Sequence, residues 1–295
     1  MGSVFFSKAY AKLNLTLRIV GKRPDGYHDI ESVFEQVSLA DELWVAMGGT
    51  GVSLRIMPPD VEVELQKDNL VLEALRMFAR RVDRKVGVRV WLTKRIPVAS
   101  GLGGGSSDAA CMLRILNHAF GKPLSREELA ELAVLLGADV PFFLEPGCRL
   151  ISGKGERLGR GVAVPNGYYV ILVPKERVST KDAYEAWDAS LTAPHPAFKM
   201  DVGKFLSNDF FLPVSGMVRD VLACARYLEE SGAEEVSLSG SGPSTYGRYL
   251  SETKAKQAFM NAKEKGVYGI SRPLRGLIFT HSVRKLYPVA VASCS

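Results

Sequence analysis

Two charged residues in otherwise apolar surroundings, Lys12 and Asp139, are the first candidates for chemistry in this chain. Lys12 belongs to a segment from Ala11 to Ile19 in which apolar and polar residues alternate, the period-two pattern of a β-strand. The pattern puts Asn14 on the same face as Lys12, about 7 Å along the strand. That face either meets solvent or presents an ammonium group and an amide group together in a site.

Asp139 lies in a mostly apolar segment that runs from Gly137 to Phe143. Burying a carboxylate is costly unless another group pairs with it. Asp139 therefore either caps the helical turn that Pro141 begins, or faces Lys12 across an active site. The spacing in the sequence leaves both interpretations open.

A glycine-rich segment is the strongest motif in the chain, and its candidate ligand-binding residues are Pro97, Gly101, Leu102, Gly103, Gly104, Gly105, Ser106 and Ser107. Alternation from Val86 to Leu92 predicts a strand before it, and apolar residues at helical spacing from Ala109 to Phe120 predict a helix after it. Glycine lets backbone approach an anion closely, and the first turn of a helix offers free N–H donors. The segment is therefore interpreted as a phosphate cradle rather than as a flexible connector.

This loop departs from two common phosphate-binding motifs. The lysine that ends a Walker A loop is missing after the glycines. The final glycine of a dinucleotide-binding fingerprint is also missing, and the motif does not open a βαβ domain. The sequence therefore predicts neither a P-loop NTPase nor a Rossmann domain.

Two further segments carry candidate ligand contacts. A turn at residues 24–26 precedes Tyr27 and His28, which either pack on their own hairpin or stack on and hydrogen-bond to a flat base. A second glycine loop joins two apolar strands and consists of Ser239, Gly240, Ser241 and Gly242. Its small residues favour a hairpin-like turn, which could lie close to the first loop or to a ligand.

Composition excludes several classes of protein. The net charge is +6, but the basic residues are spread along the 295-residue chain, so nucleic-acid binding is not predicted. The four cysteines are far apart and form no metal-binding pair; they are Cys111, Cys148, Cys224 and Cys294. The chain has neither an apolar run of membrane-spanning length nor a signal-like N-terminus, so a cytoplasmic location without membrane association is expected.

The chain is long enough for two domains. Turn residues between 152 and 167 favour a boundary there, and we divide the chain into residues 1–155 and 156–295. Within the first domain, apolar segments at 43–46 and 52–56 flank a glycine-rich turn and are predicted to pair with each other. Asn69 is expected to cap a helix, as is Ser125.

Three of these segments occur in the order found in the GHMP kinase superfamily, which the chain resembles. They are the strand of Lys12 and Asn14 with the Asp-Gly-Tyr-His turn, the loop Pro-x-x-x-Gly-Leu-Gly-x-x-Ser-Ser-x-Ala-Ala, and the second glycine loop. Within the superfamily, the chain most resembles the branch that acts on a cytidine-diphosphate-linked methylerythritol. The resemblance rests on the form of the first loop, on the Asp-Gly-Tyr-His turn and on the segment Gly-Ala-Asp-Val-Pro-Phe-Phe. The similarity covers nearly the whole chain.

The resemblance implies an α+β fold with a ribosomal-S5-like N-terminal domain, a ferredoxin-like C-terminal domain and an active site in the cleft between them. It implies transfer of a phosphoryl group from ATP, with Mg²⁺, to the 2-hydroxyl of a small cytidine-diphosphate-linked sugar alcohol, in the non-mevalonate synthesis of isoprenoid precursors. Lys12 and Asp139 match the catalytic pair, and residues 97–107 match the ATP loop. The positions that match substrate contacts are Asn14, Tyr27, His28 and Tyr184. No metal ligand is assigned, and a monomer or weak homodimer is expected.

Two alternatives stay open. One is another GHMP kinase, acting on mevalonate or a polyol. The other is a relative that binds nucleotide without turnover, against which the presence of both Lys12 and Asp139 argues.

Overall fold

The computed structural model describes residues 3–58, 69–191 and 208–292. The described residues form two β-sheets, each covered by helices. One sheet is built mainly from the first half of the chain, with a last strand from the C-terminal end, and the other lies within the second half. The glycine loop and Lys12 lie where the two halves meet, as the contacts below show.

The first sheet has seven strands and carries three α-helices. Five strands follow the order β11-β1-β2-β4-β3, and β5 pairs with β2 and with β6. The strands are β1 (Val4–Lys22), β2 (His28–Met47), β3 (Val52–Met57), β4 (Val88–Thr93), β5 (Cys148–Ser152), β6 (Arg157–Gly161) and β11 (Ala290–Ala292). The helices are α1 (Leu70–Arg81), α2 (Gly104–Ala119), α3 (Arg126–Leu136) and a short 3-10 helix (Pro141–Leu144).

The predicted pairing of the segments at 43–46 and 52–56 is wrong. β4 lies between β2 and β3, antiparallel to β2 and parallel to β3. Parallel neighbours need a long crossover connection, and α1 supplies it between β3 and β4. The apolar face of α1 packs in the same core cluster as β4, so the crossover also covers the sheet.

The predicted helix caps are confirmed. The Asn69 side chain accepts a hydrogen bond from the Val71 N–H at the start of α1, at 2.9 Å. Ser125 and Glu128 form a capping box at the start of α3. These caps satisfy N–H groups that would otherwise lack partners at the helix ends.

The second sheet has four antiparallel strands in the order β10-β7-β9-β8. Its strands are β7 (Tyr168–Val173), β8 (Glu235–Leu238), β9 (Thr245–Tyr249) and β10 (Gly276–His281). Its helices are α4 (Thr180–Ser190), α5 (Phe211–Met217), α6 (Asp220–Glu230) and α7 (Glu252–Lys265). Helices between β7 and β8 and again between β9 and β10 make this a βαββαβ unit of the ferredoxin-like kind. β8 and β9 flank the second glycine loop as a hairpin, as predicted.

An apolar cluster joins the two halves. It combines Leu13 and Val37 of the first sheet with Ile171, Val173 and Tyr246 of the second. The division between residues 155 and 156 stays a prediction about domains. In the sheet pairing, β6 joins β5 and the C-terminal β11 joins β1, so both belong with the first sheet.

Candidate active site

Lys12 and Asp139 lie together in a largely buried environment. Lys12 is only 3% exposed, and its Nζ lies 3.6 Å from Oδ2 of Asp139. The same ammonium donates to Oδ1 of Asn14 at 2.5 Å and lies 4.3 Å from the centre of the Phe34 ring. The polar side of this strand is therefore not a solvated sheet face but part of a site.

Burial lowers the pKa of Lys12 from its usual value, while the nearby Asp139 carboxylate partly opposes this by favouring the charged form. The ammonium thus loses its proton more readily than an exposed lysine does. Its positive charge depends on the acidic partner beside it.

Asp139 reaches this position because the chain turns sharply after α3. The backbone N–H of Val140 bonds to the Gly137 carbonyl, and the 3-10 helix then begins at Pro141. Phe142 and Phe143 bury their side chains beneath this turn, whereas the Asp139 side chain stays 30% exposed. Asp139 is not a helix cap, because the cap position is Val140 and makes no side-chain bond.

Asn14 connects the first strand to the second glycine loop. Its Oδ1 accepts the Gly240 N–H at 2.7 Å, and its Nδ2 donates to Oγ of Ser32 at 2.9 Å. The Tyr246 hydroxyl donates to the Asn14 backbone carbonyl at 2.8 Å. Asn14 therefore fixes the position of the second glycine loop relative to the Lys12 ammonium.

The first glycine loop contacts both Lys12 and the second glycine loop. Its Leu102 carbonyl accepts the Lys12 backbone N–H at 3.0 Å, and its Gly101 carbonyl accepts the Ser239 hydroxyl at 2.9 Å. Gly101 has φ +79°, and a Cβ at this position would lie 2.1 Å from the Ser239 carbonyl oxygen. Glycine is required there by both backbone conformation and close approach.

Helix α2 begins immediately after the loop with its N-terminus open to a ligand. Its cap residue, Gly103, has φ 72° and makes no side-chain cap bond. First-turn N–H groups together with the helix dipole favour an anion at this point.

Two adjoining cavities meet at Gly101 and Gly103. The smaller, of about 390 Å³, is lined by the glycine loop from Pro97 to Ser106. The larger, of about 1050 Å³, contains ten of the sequence-predicted residues: Lys12, Asn14, Tyr27, His28, Gly101, Gly103, Asp139, Tyr184, Gly240 and Ser241. Ser107 and Ser239 are buried beneath these surfaces.

The far end of the larger cavity is aromatic. The His28 and Tyr184 rings are stacked, with centroids 4.5 Å apart and planes 11° apart. Tyr27 is 60% exposed, and Lys154 Nζ lies 4.4 Å from its ring centre. Burial raises the pKa of Tyr184 to about 12, and the charge of Asp139 adds to this effect.

Two charged residues at this end of the cavity were not predicted from the sequence as site residues. These residues are Asp188 and Lys22. The Asp188 carboxylate lies 2.8 Å from Nε2 of His28 and forms an ion pair with the Lys22 ammonium at 2.5 Å. The hydrogen bond from Lys22, with that from His28, lowers the pKa of Asp188. Asp188 follows Tyr184 by four residues on α4, so the helical spacing places both on one face and could have indicated it.

A buried triad lies beside the glycine loop, and two of its members, Lys94 and Asp108, line the smaller cavity with it. The Lys94 ammonium pairs with Asp41 and, at 2.7 Å, with Asp108 in the first part of α2. Asp41 also accepts the Ile96 backbone N–H at 2.8 Å. Burial opposes the charge of Lys94, but the two carboxylates outweigh it and raise the pKa of Lys94, whereas burial raises the pKa of Asp108.

The oxygen donors near the loop fit a magnesium ion bound together with phosphate. In the described ranges, no three His, Cys, Asp or Glu side chains form a cluster that could hold a metal by themselves. Mg²⁺ commonly takes few protein oxygens and completes its shell with phosphate and water. The Ser106 hydroxyl at the start of α2, which lines the smaller cavity, would be a suitable ligand of this kind.

Comparison with known proteins agrees with this geometry. Residues 69–147 match the model of the GHMP kinases N terminal domain. The chain is 33% identical to the 4-diphosphocytidyl-2-C-methyl-D-erythritol kinase of Thermoanaerobacter pseudethanolicus, over 87% of this chain and 91% of that protein. It is 36% identical to the enzyme of the same name from Exiguobacterium sibiricum, over 85% and 91%.

Solved structures give the same result. A crystal structure of 4-(cytidine 5'-diphospho)-2C-methyl-D-erythritol kinase is similar with a TM-score of 0.74 and 29% identity, covering 95% of this chain and 99% of that one. Homoserine kinase from Cytophaga hutchinsonii, 18% identical with a TM-score of 0.67 and coverage of 99% and 98%, shares the fold. The superfamily and the two-domain fold predicted from the sequence are confirmed. The chain belongs to the GHMP kinases, and within them to the family of 4-diphosphocytidyl-2-C-methyl-D-erythritol kinases.

Proposed function

We propose that the chain transfers the γ-phosphoryl group of ATP to the 2-hydroxyl of 4-diphosphocytidyl-2-C-methyl-D-erythritol, with Lys12 and Asp139 as the catalytic pair. The observation that carries this assignment is their 3.6 Å separation in a cavity that adjoins the glycine loop. The choice of acceptor rests on the similar enzymes, which are named as kinases of this compound.

The first glycine loop holds the triphosphate of ATP through backbone N–H groups and the N-terminus of α2. Phosphoryl transfer depends mainly on positioning and on stabilising charge at the transferred group. Ser106 would hold Mg²⁺, which would neutralise charge on the phosphates.

Asp139 accepts the proton of the attacking hydroxyl, or orients that hydroxyl toward the phosphoryl group. Lys12 holds the carboxylate in place and brings positive charge to the transferred group. Asn14 fixes the Lys12 ammonium by accepting one of its hydrogen bonds.

The aromatic end of the larger cavity receives the cytosine. Tyr27 and Tyr184 offer ring faces for stacking, and His28 offers a hydrogen-bonding edge.

The reaction is tested by incubating the protein with Mg-ATP and the cytidine substrate, following ADP release and identifying the product by phosphorus NMR. Phosphorylation at the 2-position supports the proposal. Phosphorylation of mevalonate or a polyol in its place would show another GHMP kinase, and nucleotide binding without ADP release would show a non-catalytic relative.

We place the reaction in the cytoplasm. Cys111, Cys148 and Cys224 are buried and free, which suits a reducing compartment. In the described part of the chain, the helices are all too short or too polar to cross a membrane. A monomer or weak homodimer stays a prediction, which size-exclusion chromatography with light scattering can test.

A further inference from the structure

The first half of the glycine loop is held by an arginine of the second domain. Arg275, immediately before β10, donates from Nη1 to the Val98 carbonyl at 2.7 Å and from Nη2 to the Ala99 carbonyl at 3.1 Å. Its own backbone N–H bonds to the Val173 carbonyl of β7 at 2.8 Å. The Arg275 backbone is thus fixed to the second sheet, while its side chain bonds to the first glycine loop.

The guanidinium group suits this task better than other donors. It is planar, always charged, and presents its N–H groups as a rigid fork. Two neighbouring carbonyls are therefore held at once and in a defined direction. A hydrogen bond from a charged donor is also stronger than one between neutral groups.

Holding these two carbonyls also orients two N–H groups. In a trans peptide unit, the C=O and the N–H of the next residue point in opposite directions. The N–H groups of Ala99 and Ser100 are accordingly turned away from Arg275. Val98, Ala99 and Ser100 all line the 390 Å³ cavity.

The backbone at this point needs such support. Ala99 has φ +49°, a left-handed conformation that non-glycine residues adopt rarely. Such a conformation persists where the surroundings hold it, and it occurs often at ligand sites. The Val98 and Ala99 carbonyls belong to the two peptide units on either side of the Ala99 Cα. The Arg275 side chain bonds to both of them.

We propose that Arg275 is a positioning residue that keeps residues 98–100 in their nucleotide-binding conformation, so that the second domain sets the affinity of the first domain for ATP. This inference rests on the proposed function, in which the glycine loop binds ATP. Arg275 acts through the loop backbone and has no part in the phosphoryl transfer itself.

The test compares Arg275→Gln, Arg275→Lys and a matched control, Arg272→Gln. Arg272 belongs to the same connecting segment, but its side chain is 63% exposed and lies 3.7 Å from Glu176. The dissociation constant of a non-hydrolysable ATP analogue is measured by calorimetry, together with the KM of both substrates, kcat and thermal stability.

For Arg275→Gln we expect the dissociation constant and the KM for ATP to rise about tenfold, as for the loss of roughly one charge-assisted hydrogen bond. The KM for the cytidine substrate should be unchanged and kcat should fall less than about threefold. Arg275→Lys, which keeps the charge and loses the fork, should give an intermediate rise. Arg272→Gln should match the wild type.

Unchanged analogue affinity in Arg275→Gln would overturn the inference, as would equal losses for both substrates in step with lower stability. If Arg275→Gln does not fold, Arg275→Lys decides: wild-type affinity for the analogue refutes the role of the fork. Failure of the wild-type protein to bind the analogue would instead refute the proposed function.

Discussion

The Lys12 ammonium lies 3.6 Å from the Asp139 carboxylate, although one residue comes from the first strand and the other from the turn after α3. Lys12 is almost fully buried, while the Asp139 side chain keeps 30% of its surface exposed toward the cavity. The pair is therefore arranged with its acidic member facing the substrate space. This asymmetry suits a carboxylate that handles a substrate proton and a lysine that supports it.

Asp139→Asn should lower kcat by about 10²- to 10⁴-fold, because an amide cannot accept the hydroxyl proton. The KM for ATP should change little, since the glycine loop is intact. Steady-state kinetics and calorimetry with an ATP analogue provide the measurement. Turnover within a few-fold of the wild type would rule out Asp139 as the base.

Lys12→Met should lower kcat by about 10²- to 10³-fold, because it removes positive charge near the transferred phosphoryl group. Thermal stability should fall, since removing the ammonium leaves the Asp139 carboxylate and Asn14 Oδ1 without their cationic partner. The matched control is Lys8→Met, a lysine of the same strand that packs over the Tyr287 ring and should leave the kinetics unchanged. A change confined to KM in Lys12→Met would contradict the assigned role.

The pH dependence of kcat/KM should show an alkaline limb with a midpoint below 10.5. Burial lowers the pKa of Lys12 from 10.5, so its charge and the activity that depends on it are lost as the pH rises through the lowered pKa. Tyr184 does not account for this limb, because burial raises its pKa to about 12. A rate that stays level up to pH 10.5, in an assay whose coupling enzymes are in excess, would disprove it.

Gly101→Ala should raise the KM for ATP at least about tenfold and reduce stability, because a new Cβ would collide with the Ser239 carbonyl and force the two glycine loops apart. Gly216→Ala is the control, because a Cβ there would meet nothing within 4 Å and the residue lies in α5, outside the glycine loops. Equal behaviour of the two variants would show that close contact between the loops is unimportant.

Tyr184→Ala should raise the KM for the cytidine substrate about tenfold or more, since base–aromatic stacking contributes about 1–3 kcal/mol per base. The KM for ATP should not change. Tyr184→Phe keeps the ring and should retain wild-type affinity. A loss of affinity in the phenylalanine variant equal to that in the alanine variant would point to the hydroxyl rather than the ring.

The sequence by itself determined the local elements and the chemical types in the site. The glycines before an amphipathic helix predict an anion cradle because backbone freedom and helix N–H groups are local properties. The alternating strand of Lys12, the helix caps at Asn69 and Ser125, and the family were predicted for the same reason, and the structure and the comparisons confirm them.

Only the tertiary structure decided which distant residues meet. It placed β4 between β2 and β3, brought Asp139 to Lys12, and joined Asp188 to His28. It also set Arg275 of the second domain against the first glycine loop. Such contacts depend on strand order and on packing between domains, which one-dimensional periodicity does not encode because it reports only which face a residue occupies.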